Sequence, residues 1–394
     1  IVDYHRYHGH GLCGILRDSS DPVGTAMMIT RILTDVALMS AIGGILALIM
    51  VIAQRWLSNY GEVSINVNGK RELKVTGGNT LLSTLSDQQI FIPSACGGRG
   101  SCGACKCKVE SGGGPLLPTE RPLLTKEEMA SNVRLACQVK VKSDIHIHIP
   151  ESIFNIRRFN SVVEEIIDYT YDIKGITFKL IEGQSIDFKA GQYVQLESQP
   201  YEKIKDKVIR AYSISSKPEL KDRIQLIIRQ VPDGICTTWV HKHVKVGDKV
   251  NFTGPYGDFY LRDTEADILF VAGGSGKAPI KSILEHLKEV GTERRMTYFF
   301  GARTRKDLYL SEEMQAFEKV FTQFEYVPVL SHPETEDNWT GKTGFVMPYF
   351  KDAIRDPKNT EAYLCGSPGM ISAVTKSLKE YGIYEDKIYY DSFG

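Results

Sequence analysis

The sequence predicts a multidomain α/β chain behind one membrane-spanning helix. Three observations predict it. An uncharged run of eighteen residues, Val36–Ala53, opens the chain's apolar pattern. From Gly61 a period-two alternation follows, leading to five cysteines crowded into about forty residues. Farther on, the run Asp267–Ala272, apolar after its first residue, meets the turn Gly273-Gly274-Ser275-Gly276. That is the strand-into-turn pattern of a doubly wound parallel sheet.

The 394 residues allow about two to four domains. Lys+Arg and Asp+Glu both number 48, so the formal charge is zero, and no long basic run occurs. This excludes nucleic acid as a partner class. Of the eight cysteines, Cys96, Cys102, Cys105, Cys107 and Cys137 are clustered beside glycines. A secreted disulfide scaffold is shorter and more evenly punctuated, so clustered thiols read as metal ligands in a reducing compartment.

The segment 1–28 is His-rich, with His5, His8, His10 and Cys13. It lacks paired metal-ligand spacing and reads as a tail. Residues 29–56 form the membrane helix. The uncharged part alone spans roughly 27 Å, close to a bilayer core. Gln54, Arg55 and Trp56 read as an interfacial anchor. Basic residues flank both ends, so charge alone leaves the orientation open.

Residues 60–150 form the next unit. Val63, Ile65 and Val67 alternate as a half-buried strand, Asn68-Gly69 signals a hairpin, and Leu81–Leu85 reads as helix. Cys96-x5-Cys102-x2-Cys105 gives a local triad of thiols in a glycine-rich loop, and Cys137 is the remote fourth, at the head of an expected strand 138–141. Four thiolates in this arrangement suit one 2Fe–2S cluster. A structural zinc site is the alternative. Cys107 alternates with Val109 and reads as core. These residues resemble a plant-type 2Fe–2S ferredoxin domain, with one extra residue in the first gap.

Residues 151–262 restart with strands over 159–167 and 176–181. Phe188-Lys189-Ala190-Gly191-Gln192-Tyr193, Arg210-Ala211-Tyr212-Ser213, Gly234-Ile235-Cys236-Thr237 and Gly254-Pro255-Tyr256-Gly257 follow in order. This order resembles the antiparallel FAD-binding barrel of the ferredoxin–NADP reductase family. By that resemblance Arg210 binds the FAD pyrophosphate beside Ala211. Tyr212 stacks along the flavin, and Ser213 hydrogen-bonds near flavin N5. Gly234, Cys236 and Thr237 belong to a helix start, expected to lead into 238–244, that meets the phosphate; Cys236 itself reads as packing there.

In residues 263–394, Gly273, Gly274 and Gly276 form the pyrophosphate turn and 279–290 reads as helix. Lys277 reads as facing solvent, with phosphate contact the alternative. Cys365-Gly366-Ser367-Pro368 and the end Asp391-Ser392-Phe393-Gly394 also resemble the reductase family. The resemblance puts Cys365 and Gly366 beside the nicotinamide and Phe393 over the flavin ring. Hydride transfer would thus rest on Ser213, Cys365 and Phe393.

Taken with the motifs Leu116-Leu117-Pro118-Thr119-Glu120, Arg134-Leu135-Ala136-Cys137-Gln138 and Asp337-Asn338-Trp339-Thr340-Gly341, the whole order resembles the NADH-oxidising subunits of sodium-translocating NADH:quinone oxidoreductases. The resemblance implies FAD, a 2Fe–2S cluster and NADH as cofactors. It implies membrane subunits of a respiratory complex as partners, and quinone as the final, indirect acceptor. It also implies a single-pass protein of the inner (cytoplasmic) membrane, with its redox domains in the cytoplasm. NADH over NADPH rests on the resemblance, since Arg303 and Arg305 offer a site for a 2′-phosphate. Two other readings are a reductase component of a multicomponent oxygenase and a non-catalytic membrane electron carrier.

Overall fold

The computed structural model describes residues 22–57, 60–181 and 183–393. His5, His8, His10 and Cys13 lie outside the described residues. The chain divides into two units, Ile1–Gly61 and Glu62–Gly394.

The first unit holds one helix, Pro22–Leu57, which begins ahead of the expected residue 29. Proline suits a first helical turn, where no N–H is needed. Within its stretch Ala26–Ala53, an eighteen-residue window has mean hydropathy 2.6 and none of it is buried inside the protein. Met27, Leu33, Leu38, Met39, Leu48 and Met50 point outward on several faces. A helix apolar all round is a membrane-type helix, not an amphipathic one lying on a core.

The second unit contains three sheets. The first orders its strands Arg71–Thr76, Glu62–Val67, Ile145–His148, Lys106–Ser111 and Val133–Leu135. Asn68 and Gly69 take φ of 58° and 68°, the left-handed pair of a type I′ turn, and this sets the antiparallel register Val67↔Arg71. Glu62–Val67 also pairs parallel to Ile145–His148. Val63, Ile65 and Val67 point onto Leu81 and Leu85 of helix Leu81–Asp87, capped by the Thr80 hydroxyl. Cys107 is buried in this core, as expected. The expected strand 138–141 is reduced to a turn at Gln138 and a single antiparallel bridge, Lys140 to Thr80. The Gln138 and Val139 amides both donate back to the Leu135 carbonyl, so Cys137 follows the strand Val133–Leu135 rather than leading one.

The second sheet is antiparallel: Arg223–Arg229, Ile173–Leu180, Arg157–Asp168, Lys249–Tyr256, Tyr193–Glu197, Ile209–Ser213. A bridge between Ile214 and Leu226 brings its last strand round to its first, nearly closing a barrel. Phe159, Phe178, Val194, Leu196, Leu226 and Phe252 fill it. Helix Ile235–Lys242 starts three residues before the expected 238.

The third sheet is parallel throughout, ordered Lys342–Thr343, Phe324–Leu330, Met296–Ala302, Asp267–Gly273, Thr360–Gly366, Ile388–Ser392. Phe270 and Ala272 pack with helix Lys277–Val290, whereas Leu269 and Val271 pack with helix Pro368–Glu380. Alternate residues of one strand thus serve helices on opposite faces, the doubly wound arrangement.

Candidate functional site

The four thiols fall into two pairs. The Cys102 thiol donates to the Cys96 sulfur at 3.3 Å, and Cys105 is hydrogen-bonded to Cys137. Among the described residues no three ligating side chains converge on a point, as one zinc ion would require. Two thiols for each of two irons is the donor set of a 2Fe–2S cluster. The loop's amides already face the sulfurs. Ala104 N–H donates to Cys102, and Gly100 N–H helps stabilise a Cys137 thiolate. Burial opposes charge at Cys96, yet donors from Ser101 and Cys102 bring it down to about 6. At Cys137 the Cys105 thiol and Gln138 outweigh burial and bring it to about 7. Burial, only partly opposed by Arg134, pushes Cys107 up to about 12, the behaviour of a core thiol.

The two motifs around this loop meet. Glu120 is fully buried and takes Arg134 in a double bond, Nε to Oε1 at 2.9 Å and Nη2 to Oε2 at 2.7 Å. Glu120 also accepts the Leu117 and Leu135 amides, and Arg134 also donates to Gly113, Gly114 and Pro115 carbonyls. Every polar atom of the pair is used, which is the condition for a buried ion pair to hold. It fixes the strand that delivers Cys137.

On the barrel, Arg210, Ala211, Tyr212 and Ser213 occupy the strand Ile209–Ser213, with Ala211 opposite Gln195. The Arg210 guanidinium donates to the Cys96 carbonyl at 2.9 Å, which links the barrel to the cluster loop. The Tyr212 hydroxyl is buried without an oxygen or nitrogen partner, against the Cys236 thiol. A buried hydroxyl left open at this point fits a polar cofactor edge. Thr237 is turned inward and bonds Val231 and Gly234 backbone, tightening the turn that starts helix Ile235–Lys242.

Ser213 Oγ donates to Asp391 Oδ2 at 2.9 Å, across 178 positions of sequence. In the sequence Asp391 belongs to the terminal motif but has no role of its own. Its role is visible only once strand Ile388–Ser392 pairs beside Thr360–Gly366, with Cys365 opposite Asp391. Burial raises the Asp391 carboxyl, partly offset by the Ser213 hydroxyl. Burial, then the Asp391 charge, holds Cys365 well above the ordinary thiol range, so it remains a thiol and not a nucleophile. Phe393 N–H donates to Gly366 O at 2.9 Å, which brings the chain end to the same point.

Gly273, Gly274 and Gly276 form the turn from strand Asp267–Gly273 into its helix. A Cβ on Gly276 would lie 2.2 Å from the Cys365 carbonyl oxygen, so only glycine lets the turn press on that strand end. Lys277 corrects the sequence reading. It does not face solvent but is 0% exposed, its Nζ 3.9 Å from the Phe300 ring centroid and 3.2 Å from Tyr326 Oη. The first helical turn here points inward, under the sheet. Arg305, one of the two arginines set against a 2′-phosphate, is committed to the Asp337 carbonyl at 2.7 Å.

Comparison with known proteins accords with this layout. Residues 65–142 match the 2Fe-2S iron-sulfur cluster binding domain family, 160–260 the oxidoreductase FAD-binding domain family, and 270–376 the oxidoreductase NAD-binding domain family. Among solved structures, an Amycolatopsis cytochrome P450 reductase, GcoB, superposes with TM-score 0.69 at 27% identity, covering 84% of this chain and 98% of that one. The ferredoxin reductase in carbazole 1,9a-dioxygenase gives TM-score 0.66 at 24% identity, a likeness of fold, over 85% of this chain and 99% of that one. In sequence the chain is 36% identical to the F subunit of the Na(+)-translocating NADH-quinone reductase from Pseudomonas aeruginosa, over 89% of this chain and 95% of that protein. It is 35% identical to the corresponding protein from Neisseria meningitidis, over 92% and 100%. With a 2Fe–2S domain, a flavin barrel and a dinucleotide sheet in that order behind an apolar helix, the chain belongs to the family of F subunits of Na(+)-translocating NADH-quinone reductases.

Proposed function

We propose that this chain is the membrane-anchored electron-input subunit of a sodium-pumping respiratory complex or its relative, oxidising NADH and passing electrons toward quinone. The observation that carries this is the Ser213–Asp391 hydrogen bond. It joins the barrel to the dinucleotide sheet beside Cys365, Gly366 and Phe393, so the residues expected to face a flavin and a nicotinamide stand side by side.

When bound, FAD accepts the hydride of NADH, and the cluster takes the electrons onward singly. The chain's own residues supply position and field. Arg210, Ala211 and Tyr212 line the flavin strand, and the helix start at Gly234, Cys236 and Thr237 offers N–H groups to phosphate. Ser213 presents a hydroxyl, oriented by Asp391, to the flavin edge where the hydride arrives. Gly273, Gly274 and Gly276 bring backbone close to the dinucleotide phosphates. Cys365 and Gly366 would shape the nicotinamide pocket without covalent chemistry, and Phe393 would cover the flavin face until nicotinamide arrives. Cys96, Cys102, Cys105 and Cys137 hold the cluster.

The division into 1–28, 29–56, 60–150, 151–262 and 263–394 follows these roles. The helix anchors the chain singly in the inner membrane. NADH is a cytoplasmic reductant, which places the redox domains on that side, and the electron acceptors are other membrane subunits of the complex. An oxygenase reductase shares the three-domain order, but the apolar helix speaks against it. A non-catalytic carrier would have no use for the Ser213–Asp391 link between barrel and dinucleotide sheet.

The detergent-solubilised chain should bleach its flavin with NADH and reduce ferricyanide. No bleaching in cofactor-loaded protein would refute an enzymatic role. NADH should reduce a quinone only when membrane subunits copurify; binding a hydroxylase instead would favour the oxygenase reading.

A further inference from the structure

The cluster thiols and Ser213 lie in different domains, so electrons need a medium between them. Tyr193 stands where the two meet. It opens the strand Tyr193–Glu197 and lies directly opposite Ser213 in the ladder, the residue bonded to Asp391. On its other side it pairs with Tyr256, and the two rings stack with centroids 5.4 Å apart and planes 21° apart. Tyr256 is 2% exposed and belongs to the ferredoxin core that includes Cys105 and Cys137, although it sits on a barrel strand. Gly257 locks the arrangement, because a Cβ there would lie 2.9 Å from the Tyr193 ring. The Tyr193 phenol feels both ends. After burial and Tyr256, the charges acting on it include Asp391 from the flavin side and Cys102 from the cluster side.

We propose that the stacked Tyr193–Tyr256 pair is the bridge through which electrons leave the flavin for the cluster. The proposal rests on the NADH-to-flavin-to-cluster reading above. Electron transfer weakens steeply with unfilled space, and the two stacked rings give a packed, polarisable path from the strand beside Ser213 into the ferredoxin core. The balance is simple. Hydride leaves NADH as two electrons and one proton, giving NAD+. The electrons leave the flavin one at a time, each turning one ferric ion of the cluster ferrous before the membrane acceptor reoxidises it. The proton returns to solvent. Both phenols stay protonated and neither tyrosine is oxidised. Burial pushes both hydroxyls well above their ordinary value, which favours this. The other link between loop and barrel, Arg210 to the Cys96 carbonyl, lies at the end assigned to phosphate rather than to the flavin ring.

Stopped-flow spectroscopy on the cofactor-loaded full chain separates the steps. After mixing with NADH, flavin bleaching in Tyr193→Leu should stay within about twofold of wild type, while cluster reduction slows at least about tenfold. Tyr193→Phe, which keeps the ring, should restore cluster reduction to near the wild-type rate. FAD content, cluster spectrum and cluster midpoint potential serve as independent readouts and should match in all three proteins. If Tyr193→Leu does not load cofactors, Tyr193→Met and Tyr256→Leu carry the same comparison. Unchanged cluster reduction without the aromatic ring would overturn the bridge and point to the Arg210 link. Slowing by Tyr193→Phe as large as by Tyr193→Leu would overturn it too, since the hydroxyl would then be the active part. Absence of flavin bleaching in wild type would instead overturn the functional reading itself.

Discussion

Replacing Lys277 with methionine removes the one fully buried lysine among the described residues while nearly keeping its length. The ammonium has no carboxylate in contact; Glu313, which favours its charge, is itself 3.2 Å from Lys281. Burial, opposed by Glu313, draws Lys277 from its ordinary 10.5 down to about 7. That drop of roughly three and a half pH units, at ~1.4 kcal/mol each, is a penalty of order 5 kcal/mol at neutral pH. The rings of Phe300, Tyr309, Tyr326 and Tyr298 lie 3.9 to 5.8 Å from Nζ and return about 2 kcal/mol, and the Tyr326 hydroxyl returns ~1 to 2 more. Lys277→Met should therefore stabilise the protein by about 1 to 2 kcal/mol at pH 7. The sign has a pH signature. Above about pH 10.5 the amine is neutral in both folded and unfolded chains, and the variant gains nothing from charge. As pH falls from 10.5 to 7, the unfolded lysine takes up its proton first, so wild-type stability declines and the variant's advantage grows. Below pH 7 both states are protonated and the advantage levels off. Urea unfolding midpoints of the detergent-solubilised chain at pH 7 and pH 10 measure this. A variant less stable than wild type at pH 7, or an advantage independent of pH, would refute the reasoning.

Two further substitutions probe the other sites. Glu120→Gln leaves Arg134 buried beside a neutral amide, so it should cost about 3 to 5 kcal/mol and lower cluster occupancy, read as loss of visible absorbance per mole of FAD. Gly276→Ala forces a methyl group into the Cys365 carbonyl and should raise KM for NADH at least about tenfold, with FAD content preserved; an unchanged KM would show that the turn can yield.

Local chemistry was legible in the chain itself. The Asn68-Gly69 hairpin follows from two residues that tolerate positive φ, and the membrane-type helix from the lack of any charge over Val36–Ala53. The parallel strand Asp267–Gly273 follows from apolar residues on both faces. The thiol spacing is legible because Cys96, Cys102 and Cys105 share one short loop whose amides turn toward sulfur. In each case the deciding interaction spans only a few residues. What required the tertiary structure is long-range. Asp391 meets Ser213 only because the last strand pairs beside Thr360–Gly366, and Glu120 meets Arg134 only because Cys137's strand closes over its loop. Lys277 reads as a surface charge because helical position does not say which side the sheet covers; four aromatic residues, from two strands and the loop at Tyr309, decide that it is buried. Residue type and spacing thus determined the helix, the order of domains and the kind of group each could hold. Which side chains complete each other across the domains was decided by packing, because their partners are brought close only by the fold.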